Sequence, residues 1–440
     1  VLVEPLLGLS HHVGVLMVGT IVIIIVATAG MTSTTYVQFI KGTMLIVFSL
    51  ILVVALCVRG LATKPETLRG ETPYAYRVLP ATEVAGKLAV LDPAFAVAEQ
   101  PVLASGKPAS TALVKLVSEG KESWWKKFPK ENGRIELWET QFSVVAADGK
   151  KFINGKPASE GGAFRPVGNL EVIQGADGPE VKTGSVGPFA FLSILGDPTT
   201  KVKRWAKETF KDGAAAVTVF APVLTPGNRI LRPGLKFKVE GTLLDRLDFI
   251  SLMLALFFGT AALPHNLIRY YTVPSAACAR KSTIVAIASI GFFYILTLYM
   301  GLGAMTSGVL NLLDENMSAP LLARSFGTVL FAVISAIAFA TVLGTGSGLI
   351  CAASGAVAHD LMDRYAGMNM SERTKVRAGK VAAIAVGIIA IVLGILFKGM
   401  NVSFLVGWAF AVAASANLPA IVMLLFWNRT TARGIMASIL

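Results

Sequence analysis

Only 15% of the 440 residues are charged, three are cysteine and four are histidine. A water-soluble surface ordinarily draws on about a quarter charged residues, so an ordinary soluble domain is excluded. Cys57, Cys278 and Cys351 all lie in or beside apolar runs, and no disulfide framework is expected. The long polar stretch 61–245 carries no metal-ligand cluster, phosphate-cradling loop or nucleophile with a partnered base. No enzymatic chemistry and no cofactor are therefore expected. Nothing near Val1 reads as a signal peptide, the first residue is not methionine, and Gly434 to Leu440 begin a further apolar segment. An internal fragment is the expectation.

What is abundant is apolar sequence. Hydrophobic residues make up 54% of the chain, and mean hydropathy is +0.65. Seven apolar runs approach or exceed the roughly 20 residues that span a bilayer: about 13–30, 38–58, 247–268, 282–303, 326–357, 380–397 and 402–427. Seven transmembrane helices are expected, with the lipid bilayer as partner. The formal charge of +13 does not point to nucleic acid, because the basic residues fall in short loops and in the polar stretch. Lysine and arginine in short loops stay cytoplasmic. Arg269, Arg280 and Lys281 follow the third run; Arg364, Arg373, Lys375, Arg377 and Lys380 the fifth; Arg429 and Arg433 the seventh. By alternation Lys41 faces inside, and Asp314, Glu315 and residues 61–245 face outside. The reading is a multi-pass protein of the cell inner (plasma) membrane.

The third run holds Phe257-Phe258-Gly259-Thr260-Ala261-Ala262-Leu263-Pro264-His265-Asn266-Leu267-Ile268-Arg269, a glycine, a proline and polar side chains inside a spanning segment. A helix interrupted at membrane depth exposes unpaired backbone groups, and it persists only where they line a protein cavity or a bound solute. A transporter is the expectation.

The polar stretch 61–245 has another character. Turn signals at Asp148-Gly149, Asn154-Gly155, Asp177-Gly178 and Pro226-Gly227 separate short runs such as Phe142-Ser143-Val144-Val145 and Val217-Thr218-Val219-Phe220. A small β-rich domain is predicted. One amphipathic helix is expected over about 200–211, with Val202, Trp205, Ala206 and Phe210 on one face. Trp124 and Trp125, beside Lys126 and Lys127, suit a lipid interface or, more plainly, core packing.

Several segments resemble the solute:sodium symporter family, its cation/acetate branch above all. They are Gly30 to Lys41 with Tyr36-Val37-Gln38; Phe258 to His265; Ala338-Phe339-Ala340-Thr341-Val342-Leu343; Ala356-Val357-Ala358-His359-Asp360-Leu361; and Val406 to Pro419. The resemblance covers residues 1–60 and 245–440. It implies an α-helical membrane protein with a five-plus-five inverted-repeat fold. Helices four and five would occupy 1–60, a β-rich extracytoplasmic insert 61–245, and helices six to ten, with the start of another, 246–440. In such folds substrate and ion sit between two broken helices, the first and sixth, with the eighth completing a sodium site.

Carried residue by residue, the resemblance assigns substrate contacts to Gly259, Thr260, His265, Ser415 and Asn417. Backbone groups near Gly259 and Thr260 suit a small anion, and a carboxylate is the natural guest. His265 either shuttles a proton or pairs a carbonyl freed by Pro264. Arg269 suits an interfacial role better than substrate pairing. Asn417 either lines the cavity or satisfies a backbone group freed by Pro419. The candidate sodium site is Thr341, Gly344 and Thr345. Gly344 stands where the sugar and proline branches carry a second hydroxyl, and Ser347 lies about 200° round the helix from Thr345. Tyr36-Val37-Gln38 replaces the tryptophan-threonine-aspartate of the sugar branch, with Lys41 one turn on. The coupling ion is thus sodium or a proton.

The function so implied is cation-coupled symport of acetate or a related short monocarboxylate into the cell. Two alternatives stand: a symporter of another solute such as proline or pantothenate, and a sensor whose insert binds a ligand. A passive channel is disfavoured, since no charged ring or filter-like segment is present.

Overall fold

The computed structural model describes residues 10–65, 74, 76–84, 87–98, 112–130, 134–178, 180–232, 239, 241–268, 270, 273–398, 400 and 402–439. Arg269, weighed above as an interfacial cation, lies outside the described residues. Seven stretches are long and apolar enough to cross a membrane: His11–Thr28, Tyr36–Arg59, Leu243–Leu267, Ala276–Thr306, Thr328–Tyr365, Glu372–Leu396 and Val402–Phe426. The chain divides into two compact units, one from 1–50, 233–297 and 332–440, the other from 51–232 and 298–331.

The first two apolar runs are not separate helices. Both lie on α1, His11–Arg59, 49 residues without a break. At 1.5 Å per residue this is about 74 Å of helix, more than twice the hydrocarbon thickness. No proline falls within it, and its Gly, Ser and Thr residues lower helix propensity by at most about 1 kcal/mol each, too little to end a helix flanked by good formers.

In the first unit α1, which runs on into the second unit from residue 51, is joined by α4 (Leu243–Ala262) and the single turn α5 (Pro264–Leu267). The rest of it comes from α6 (Ala276–Thr306, which runs on into the second unit), α8 (Thr328–Gly355), α9 (Glu372–Leu396), α10 (Val402–Ala416), α11 (Leu418–Phe426) and α12 (Ala432–Ile439). Thr242 caps α4 by accepting from the Asp245 N–H, while the Asp245 carboxylate accepts from the Thr242 N–H. Val22 and Val26 of α1 form a buried cluster with Ile350 of α8 and Ala383 of α9. Helix α8 passes at Gly355 into a π-helical stretch, Ala356–Tyr365.

The second unit is built on two antiparallel sheets. One has the order β2-β1-β6-β5-β4-β3, from Lys87–Val90, Val78–Val84, Arg134–Glu139, Lys121–Pro129, Leu113–Ser118 and Ala96–Val97. The other runs β11-β10-β12-β13-β7-β8-β9, from Ala176–Asp177, Val167–Ile173, Lys201–Asp212, Ala215–Pro226, Gln141–Val145, Lys151–Ile153 and Lys156–Pro157. Two short helices, α2 (Pro188–Gly196) and α3 (Gly227–Ile230), lie between and after these strands, and α7 (Ser318–Arg324) comes later in the chain. Strand β14, Ser307–Leu310, follows α6 directly and pairs with β10.

Successive residues of a strand face opposite sides of its sheet. Leu113 and Trp124 therefore pack with Phe142, Phe210, Val217 and Val219 of the second sheet. Their neighbours Val114 and Trp125 pack on the reverse face with Leu79, Leu116, Ile135 and Leu137. Trp124 is 2% exposed and Trp125 0%, so both are core residues. The Lys115 ammonium ties the sheets together, 2.7 Å from Glu122 and 3.0 Å from Asp212. Burial depresses its pKa, but the two carboxylates outweigh that and hold it above the ordinary lysine value.

Residues 200–211, expected as an amphipathic helix, are instead strand β12, paired along its whole length from Lys201↔Pro226 to Asp212↔Ala215. Val202 and Phe210 point inward at a spacing of eight, which satisfies a period of two as well as one of 3.6. The partner decides: β13 offers the β-branched run Val217-Thr218-Val219, and Gly213, with φ +59°, makes the hairpin turn.

Trp124 packs edge-on against Phe210 at 5.0 Å across the two sheets. Trp124→Ala should cost the β-rich unit about 3–5 kcal/mol. Chemical denaturation followed by tryptophan emission checks this; a loss below about 1 kcal/mol would place Trp124 outside the core.

Candidate functional site

An unbroken α4 would carry the Thr260 carbonyl onto the N–H of residue 264, but that residue is proline and has none. The helix ends at Ala262, Leu263 turns extended (φ −65°, ψ 119°), and α5 begins at Pro264. Two side-chain amides take up the carbonyls released. Asn266 Nδ2 donates to Thr260 O at 3.4 Å. Asn417 Nδ2, from the junction between α10 and α11, donates to Ala262 O at 3.2 Å. Asn417 therefore serves a backbone group freed across the helix pair, on α4 rather than on its own helix.

Close approach of α4 and α10 permits that bond. A Cβ on Gly259 would lie 2.5 Å from Phe410 O, so glycine lets the two backbones meet. Gly259 and Thr260 lie within the regular part of α4, ahead of the break, where their amides serve the helix. The Thr260 hydroxyl donates back to Leu256 O at 2.6 Å, and the Ser415 hydroxyl to Ala411 O at 2.8 Å. Both side chains are exposed, and His265 is half-buried on the single turn after the break. The structure thus draws Gly259, Asn417 and, through the chain, Thr260, His265 and Ser415 to one end of the α4–α10 pair.

The residues expected to hold sodium lie on α8, opposite α1. Thr341 Oγ1 donates to Ile337 O at 2.8 Å, and Thr345 is exposed. Two carbonyls beside them, Ala340 O and Gly344 O, already have side-chain donors. Lys41 Nζ lies 2.9 Å from Ala340 O. Gly344 O accepts both from the Gln38 side-chain amide and from Ser347 Oγ, the latter at 2.9 Å. Gln38 and Lys41 were noted in the sequence for what they replace; a contact across some 300 residues leaves no local signal. A further unit charge about 4 Å from the ammonium would meet repulsion of about 4 kcal/mol at an effective dielectric constant near 20. A cation at these carbonyls would compete with the donors already there and face the Lys41 charge. Among the described residues no group of three His, Cys, Asp or Glu side chains could hold a metal.

At the far end of α8, His359 Nδ1 lies 3.0 Å from Asp360 Oδ1, on the exposed face of the π-helical stretch. Asp363 accepts from the Met370 N–H at 2.7 Å and pairs with Lys375 at 2.9 Å, which pins the turn before α9.

A multi-pass membrane protein is defined by these features, with one spanning helix broken at proline and a second interrupted where it ties to the first. The sodium:solute symporter family profile matches residues 1–71 and 217–440, and the chain belongs to that family. Over 258 residues it is 44% identical to a monocarboxylic acid transporter of Corynebacterium glutamicum, an alignment covering 57% of this chain and 46% of that protein. Over 234 residues it is 44% identical to an uncharacterised symporter of Bacillus subtilis, covering 51% and 44% respectively. The chain spans less than half the length of these curated relatives. No solved structure matches it.

Asn417→Ala should strand the Ala262 carbonyl and cost about 1–3 kcal/mol. Thermal unfolding of the detergent-solubilised protein should show a lower midpoint, and Asn417→Asp, whose carboxylate cannot donate, should not restore it. An unchanged midpoint in both variants would show that the bond carries no weight.

Proposed function

We propose that the protein carrying this chain is a secondary active symporter that takes acetate or a related short monocarboxylate into the cell, coupled to inward movement of a cation. The observation that carries the reading is the α4 break, with its carbonyls held by Asn266 and Asn417, in a chain of the sodium:solute symporter family. The substrate class is supported by the Corynebacterium relative, a monocarboxylic acid transporter.

In this reading residues 1–60 and 246–440 supply helices four to ten of a five-plus-five inverted repeat, and residues 61–245 form an insert on the extracytoplasmic side of the plasma membrane. Gly259, Thr260, His265, Ser415 and Asn417 line the carboxylate site. The coupling ion is sodium or a proton. Substrate and ion favour the same occluded state, so each raises the other's affinity and slips are slow. Alternating access then moves the occluded site from one side to the other without covalent chemistry.

A second reading, a sensor that binds its ligand outside the membrane, draws support from one feature. The β-rich unit holds a cleft of about 530 Å³ lined by Thr63, Lys130, Trp138, Glu171, Asp177 and Lys201. A sensor would bind without accumulating.

The test is uptake of radiolabelled acetate into proteoliposomes holding the full-length protein, with inward cation gradients imposed. Concentrative uptake, competed by propionate but not by proline or pantothenate, is expected. Uptake of proline or pantothenate in its place would shift the substrate class, and binding without accumulation would favour the sensor.

A further inference from the structure

We propose that the Lys41 ammonium is a tethered cation standing against the α8 residues expected to hold sodium, Thr341, Gly344 and Thr345, so that this protein binds no sodium at those residues and transports without it. The inference rests on the transport reading above for its second half only; the first half concerns binding.

Three observations carry it. The ammonium is already engaged as an ion would be, with Nζ 2.9 Å from the Ala340 carbonyl on the face of α8 that bears Thr341 and Gly344. The adjacent carbonyl, Gly344 O, is filled by the Gln38 amide one turn before Lys41 and by the Ser347 hydroxyl, which leaves it fully subscribed. Glycine at 344 leaves the tie uncrowded: a Cβ there would meet Lys41 Nζ at 3.4 Å and Lys41 Cδ at 3.8 Å, ordinary contact distances, and Gln38 Cγ at a tighter 3.3 Å. A serine hydroxyl there would lie within hydrogen-bonding reach of the ammonium and would compete with Ala340 O for it. A charged side chain inside a spanning segment is expensive and is kept where it pairs with a partner such as a backbone carbonyl, as it does here. A fixed positive charge between the two helices can hold them as a sodium ion would, without being exchanged at either membrane face.

The test uses the purified full-length protein and radioactive sodium, with choline as the replacement ion at equal ionic strength. Wild type and Lys41→Arg should show no saturable sodium binding and no shift in melting temperature between sodium and choline. The double variant Lys41→Ala/Gly344→Ser, which removes the ammonium and returns a hydroxyl, should gain saturable sodium binding and an upward melting shift in sodium. Lys41→Ala alone serves if the double variant does not fold, with the same gain expected in weaker form. Saturable binding by wild type that Thr345→Val abolishes would overturn the proposal, as would a folded double variant that stays indifferent to sodium. In proteoliposomes, acetate uptake should survive replacement of sodium by choline. Uptake that collapses on that replacement overturns the inference while leaving symport intact, whereas absence of acetate uptake in every gradient defeats the transport reading and leaves the binding result standing.

Discussion

Pro264 cannot donate to the Thr260 carbonyl, and in hydrocarbon a carbonyl without a donor costs several kcal/mol. That deficit organises the region around it. It ends α4 at Ala262, turns Leu263 extended, and requires two amides to be delivered to the break. One comes from Asn266, two residues beyond the proline. The other comes from Asn417, 155 residues away, and it reaches the break only because Gly259 lets α10 approach to backbone contact. Glycine, proline and asparagine at these positions form one device rather than three separate features.

A second polar tie, between α1 and α8, differs in kind. Both of its donors, the Gln38 amide and the Lys41 ammonium, come from one face of α1, and both acceptors are main-chain carbonyls four residues apart on α8. Transporters commonly hold a coupling ion through carbonyls of unwound backbone, whereas these two lie within the continuous helix α8. In this chain they receive hydrogen bonds from a neighbouring helix.

Much of this was legible in the sequence, and the exceptions have physical causes. The α4 break could be read because glycine and proline act locally, and the strands Phe142–Val145 and Val217–Phe220 because β-branched runs between turn dipeptides have a short-range signature. Strand β12 was misread as a helix, since buried positions eight apart fit both periods, although Asp212-Gly213 at its end is a hairpin signal of the kind used elsewhere in the chain. Continuity of α1 was missed because polar residues between two apolar runs look like a loop, whereas serine, threonine and glycine weaken a helix without ending it. The Asn417–Ala262 and Lys41–Ala340 bonds join residues far apart in the chain, and nothing in the local pattern announces them.

Helix α6 ends at Thr306 and strand β14 begins at Ser307, with no linker between. Within the second unit the end of the helix is therefore stitched to β10 by main-chain hydrogen bonds, Asn169 opposite Ser307 and Val167 opposite Leu310. A loop would absorb rotation of the helix as changes in its own dihedral angles; a strand continuous with the helix has no such slack. Rotation of the helix end is therefore resisted by main-chain pairing to a sheet in which β14 is joined to seven other strands. The last turns of the helix, within that unit, give up rotational freedom to the sheet.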